Sequence, residues 1–127
     1  MSPELLTTKS REVATAAVTS AAQVGHVTVE PAHLLLALLE TDGSTATDLL
    51  RAVGARPEQL TERATQSLDG LPKAAGSTVA QPQLSRQLVN VFVAAEEIAR
   101  PLGDEYVSTE HLLAALAQAG GDVAGWL

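Results

Sequence analysis

The sequence has no cysteine, which excludes a disulfide framework and a thiolate metal site. It is also poor in aromatics, with one Phe, one Trp and one Tyr among 127 residues. A core must therefore be assembled from Leu, Val and Ala. Positive charge is scarce: 8 Lys and Arg stand against 15 Asp and Glu, a net charge of -7. Such a surface repels phosphate backbones and anionic headgroups, so neither nucleic acid nor a membrane is an expected partner. The longest strongly apolar run, Ala32 to Leu39, is interrupted by His33 and falls far short of the roughly 20 residues that span a bilayer. No basic segment followed by an apolar one opens the chain, so no signal peptide is read and a cytoplasmic location is expected. The patterns G-x-x-x-x-G-K-[ST], G-x-S-x-G and H-E-x-x-H are all missing from the sequence. Nucleotide hydrolysis and hydrolase or zinc chemistry are therefore not expected of this chain by itself.

What is present is helical. Apolar residues make up 46% of the chain and Ala alone occurs 22 times. Alanine is the best helix former, and small side chains let helices approach closely. An all-α domain over residues 1–127 is expected, with no cofactor of its own and monomeric in isolation.

An internal repeat organises it. A shift of 78 positions aligns residues 7–49 with 85–127 without a gap, and 14 of the 43 pairs are identical. They include Gly25/Gly103, Val29/Val107, Gly43/Gly121 and the His-Leu-Leu triplets at 33–35 and 111–113. The reading is a first repeat over 7–69, a Gly-, Pro- and Ser-rich linker over 70–84, and an incomplete second repeat over 85–127. Nothing answers to the segment from Pro57 to Asp69, so the chain is expected to be a piece of a longer protein.

Spacing and punctuation place the helices. The first runs from about Thr8 to Val24 with Val13, Ala17, Ala21 and Val24 on one face, and Gly25 suits the C′ stop. A short extended link, Val27 to Val29, leads to a helix opened by Pro31, with Leu34, Leu35, Leu38 and Leu39 apolar, and ended by Gly43. A third helix carries Ala46, Leu49, Leu50 and Val53. A fourth runs from Pro57 to Gly70. Ser85 caps the long helix of the second repeat, which should end or kink at Pro101 with Leu102 still on its apolar face. Ser108 caps the next.

Candidate functional residues come mostly from where the repeats diverge. His33 and His111 stand at equivalent positions in the first turn of a helix, so both are expected to do one structural job there rather than bind metal. On the long second-repeat helix, Val89 and Val93 lie to one side of the core face, where the first repeat has Arg11 and Thr15. Phe92 replaces Ala14. The second unit alone is therefore expected to carry extra apolar surface, either a contact site or a face packed against the linker or further C-terminal helices. Phe92, on the core face of the wheel, is either a core residue or partly solvated in a groove. Asp104, Glu105 and Glu110 form an acidic edge around Tyr106 and Val107.

The stretches 29–39 (VEPAHLLLALL) and 103–113 (GDEYVSTEHLL) resemble the two signatures of the Clp N-terminal domain family. Leu71-Pro72, Gln81-Pro82 and the unequal signatures look most like its ClpB type. The resemblance implies a pseudo-twofold domain tethered to ATPase rings, which takes unfolded or aggregated client proteins to a central pore. It implies that ATP and magnesium belong to P-loop modules outside this chain, in a hexameric parent. It also implies client handling by Thr7, Asp104 and Glu110, with Phe92 at a groove position. His111 falls where some relatives have an apolar groove residue. Adaptor docking in a protease-coupled Clp ATPase and a stand-alone binding protein are the alternatives.

Overall fold

The computed structural model describes residues 3–41, 45–73 and 81–127. Thr7 and Ser85, 78 positions apart, start the two long helices in one way. The Thr7 hydroxyl accepts from the amide of Ser10 and that of Ser85 from Leu88, both at 3.1 Å, each satisfying one of the free amides of a first turn. Helix α1 covers Thr8–Val24 and α5 covers Arg86–Ala99. Both are followed by a left-handed glycine, Gly25 (φ 88°) and Gly103 (φ 77°). The next amides reach back alike, His26 to the Ala21 carbonyl at 2.9 Å and Asp104 to that of Ala99 at 3.2 Å, as in a Schellman closure. Between Ala99 and Gly103 the second unit departs from the first. Pro101 cannot donate, so Arg100–Leu102 tighten into a 3-10 turn.

The inner helices are α2 (Pro31–Glu40) and α6 (Thr109–Ala119). Leu34, Leu35, Leu38, Leu112 and Leu116 are fully buried, each such side chain contributing about 1.5–3 kcal/mol. The outer helix of each unit packs on its inner one, α1 on α2 and α5 on α6, and α2 touches α6. Three more helices complete the described chain: α3 (Ala46–Ala52), α4 (Pro57–Asp69), which lies along α2, and α7 (Asp122–Trp126), against α6.

The all-α expectation holds, with one addition. Thr28–Val29 (β1) pairs in parallel with Gln83–Leu84 (β2), a segment read from the sequence as linker. Leu6 pairs likewise with Val107. These two pairings are related by the same 78-residue shift: the segment entering each outer helix pairs with the segment entering the other unit's inner helix. The amides of Thr7 and Ser85 donate to the carbonyls of Val107 and Val29, both at 3.0 Å. Two strand residues on each side, set against leucines and valines, are too short for periodicity to reveal.

Four apolar residues assigned to core faces are exposed: Val24 (46%), Leu49 (40%), Val53 (79%) and Leu102 (67%). Val24 is the last residue of α1, directly before the left-handed Gly25. Leu49 belongs to the short α3, whose two turns aim only Ala46 and Leu50 inward, and Val53 is its C-cap. Leu102 is carried off the core line by the tighter 3-10 winding. Gly43, expected to end α2, lies outside the described residues, as do linker positions 74–80.

Candidate binding groove and the paired histidine caps

The strand pairings hold α1 and α5 apart over a groove of about 390 Å³. Positions related by the 78-residue shift face it from both sides: Leu6 and Leu84, Ala14 and Phe92, Arg11 and Val89. Val29 and Leu34 also line it, as do Thr15 and Thr19 from α1 and Gln81 beside β2. The α5 wall is apolar, and Arg11 is the one charged side chain in the lining among the described residues.

Phe92 is 7% exposed and belongs to the core cluster, although one side of it borders the groove. Of the two readings of this ring, its burial is that of a core residue rather than of a partly solvated one, and its position is at the groove. The ring fills space that Ala14 cannot fill from the opposite wall. Val89 is 40% exposed and lines the groove, whereas Val93 is 43% exposed and lies outside its lining. The exposed α5 face does not stand by itself: Arg11 and Thr15 stand on the facing wall of the same groove. The repeat comparison marked them as polar counterparts without placing them there. The repeat shift itself was the available signal, since residues that match across it meet across the groove.

Thr7, Asp104, Glu110 and His111 do not line the groove. Thr7 is the half-buried α1 cap, and its hydroxyl donates to that of Ser10 at 3.0 Å. Glu110, exposed at the start of α6, accepts from the Thr45 hydroxyl at 3.1 Å. His111 is buried, and its Nε2 lies 3.0 Å from Asp104 Oδ2.

The two histidines do share one job. Each occupies the third position of its helix, and its Nδ1 accepts from the backbone amide of the N-cap: Glu30 N–H to His33 at 2.8 Å, Ser108 N–H to His111 at 2.9 Å. Histidine thus takes the place Glu or Gln holds in a capping box. The other ring nitrogen reaches the residue seven positions earlier in both units. His33 Nε2 is 2.9 Å from His26 Nδ1, and His26 and Asp104 are themselves 78 apart. His33 is pushed down to about 4, by burial first and the His26 ring second, against the opposing pull of Glu30. Among the described residues no group of three or more His, Asp or Glu side chains is arranged to hold a metal ion. Nor is any helix long and apolar enough to cross a membrane.

Fold and groove together define a tandem helical-repeat module with an apolar cleft between its halves and no catalytic constellation among the described residues. The family profile described as Clp repeat (R) N-terminal domain matches residues 5–127. The chain belongs to that family. It is 49% identical over 122 residues to the chaperone protein ClpB of Propionibacterium freudenreichii, covering 96% of this chain and 14% of that one. It is 43% identical over 118 residues to ClpB of Mycobacterium tuberculosis, covering 93% and 14%. The chain thus spans about one seventh of the length of these relatives and is homologous to their N-terminal domains. Among solved structures, the N-terminal domain of the ClpV1 ATPase from Escherichia coli is similar, with a TM-score of 0.82 and 25% identity, over 95% of this chain and 72% of that one. The Hsp104 N-terminal domain from Candida albicans shares the fold, with a TM-score of 0.82 at 20% identity, over 95% and 78%.

Proposed function

We propose that this domain binds apolar segments of unfolded or aggregated proteins in the α1–α5 groove, on behalf of a ClpB-type ATP-dependent disaggregase. The observation that carries the reading is the groove itself. Ten of its fourteen described lining side chains are apolar, and it is open at Val89, which is 40% exposed. Contacts of this kind discriminate by hydrophobicity rather than sequence, as a client-binding surface requires. In this reading the ATP and magnesium sites and the hexameric assembly lie in the remainder of the parent protein, which works in the cytoplasm. Adaptor proteins would share the same cleft.

The test is a titration of the isotope-labelled chain with a permanently unfolded model protein, followed by NMR. Perturbations at Arg11, Thr15 and Val89 together, with little change at Asp104 and Glu110, are the expected result. Perturbation confined to Asp104, Glu110 and their neighbours would overturn the groove assignment. Binding that disappears at moderate salt would show that charge rather than apolar contact dominates.

A further inference from the structure

Proton placement in the His26–His33 pair follows from the hydrogen bonds. His33 Nδ1 accepts the Glu30 amide, so the proton of a neutral His33 ring is on Nε2. That nitrogen must then donate to His26 Nδ1 at 2.9 Å, which leaves the His26 proton on Nε2. His26 Nε2 is buried and is the one such side-chain polar atom without a hydrogen-bond partner among the described residues. Three of the four ring nitrogens are committed and the fourth already carries a proton. A further proton on His33 would displace the Glu30 amide. On His26 it would set two N–H groups against each other.

The surroundings offer an added charge little relief. Both side chains are buried, at 3% and 2% exposure. Glu30, the N-cap of α2, is the carboxylate nearest in the chain, and it accepts from the Thr28 hydroxyl. Lys73, bridged to His26 through the backbone, brings positive charge. The last turn of α1, Ala21–Val24, has no ionisable group, and α4 turns Leu60, Ala64 and Leu68 inward while Glu62, Arg63 and Asp69 stay exposed. On α7, Asp122 is exposed as well. The equivalent place in the second unit is built differently. There His111 Nε2–H faces not a second imidazole but the carboxylate of Asp104, half exposed to water.

Between His26 and His33 runs β1, and the carbonyls of Val27, just before it, and of Val29 accept from the Gln83 and Ser85 amides. Val29 and Leu84 line the groove. We propose that the His26–His33 pair is an acid-sensitive clasp: its protonation frees β1 from β2 and opens the groove lining on that side, while the Asp104–His111 pair keeps the Leu6–Val107 side closed. Acid would thus act on one half of a nearly symmetric cleft.

The experiment is amide hydrogen exchange on the whole chain between pH 7.5 and pH 5, corrected for intrinsic rates. The Thr7 amide, bonded to Val107, is the built-in control for the Ser85 amide, bonded to Val29. With His33 at about 4 when folded and about 6.5 when released, the opening constant at Ser85 should rise about 30-fold by pH 5. Thr7 should change little. An equal rise at both amides, or none at Ser85, overturns the clasp. Two variants add independent readouts. His26→Asp copies the second unit, and His33→Gln keeps an acceptor for Glu30 without a titrating ring. Both should flatten the Ser85 response, and a rise that persists in His33→Gln overturns the assignment to this pair.

Discussion

Replacing Phe92 with Ala removes a ring that is 7% exposed and packed into the core. Truncation of a fully buried Phe costs about 3–5 kcal/mol, the larger values arising where the void stays sealed. Here one side of the ring borders the groove, so the space left opens into that cleft instead of forming a closed cavity. The expected cost is therefore at the low end, about 3 kcal/mol. Set against a total stability of roughly 5–15 kcal/mol, the variant should still fold. Urea denaturation at neutral pH measures the difference, and an unchanged slope would show that the folded and unfolded states kept their extents. The same variant has alanine on both walls of the groove, at 14 and 92, and should bind an unfolded model protein more weakly. A stability loss near 1 kcal/mol, typical of an average substitution, would refute the packing described for this ring. Unchanged affinity in the folded variant would remove Phe92 from the binding surface.

Val89→Ser reverses the balance: the side chain is 40% exposed, so stability should change by less than about 1 kcal/mol while affinity for unfolded protein falls in the same titration. Thr7→Ala and Ser85→Ala each remove a helix cap and should cost about 1 kcal/mol in thermal or urea melts, and Thr7→Ala should leave client affinity unchanged. Stability should fall on acidification because the buried His33 is held at about 4, below the 6.5 of an unfolded histidine. The unfolded chain then binds the extra proton between these values, so the contribution is complete above pH 6.5 and lost as pH drops toward 4. By pH 5 the loss is about 2 kcal/mol, and urea midpoints that stay level from pH 7.5 to 5 would contradict the neutral pair.

Much of the architecture is local and so was legible. Gly25, Pro31, Pro57, Ser85, Pro101 and Ser108 mark helix ends through φ restrictions, missing donors and capping oxygens. These act over a few residues, and the structure places helix boundaries at each of them. The 78-residue shift likewise fixed that His33 and His111 share a role, because identical positions in identical local patterns meet identical backbone groups.

The groove was not legible, for a physical reason. Helical periodicity tells which residues of α5 leave the core line, and it pointed to Val89. It cannot say what faces them. That depends on β1 pairing with β2 and Leu6 with Val107, contacts between chain segments more than fifty residues apart. Those pairings put Arg11 and Thr15 opposite Val89 and set Phe92, which the sequence left between core and groove, in the core with one side on the cleft. They also kept Asp104 and Glu110 away from the cleft, one held to a histidine and the other to a threonine. Sequence alone determined the longer helices, the Ser85 and Ser108 caps and the duplication, while the short α7 went unread. Tertiary structure decided which faces of the two copies confront each other, because that rests on packing across the whole chain rather than on any residue's own preferences.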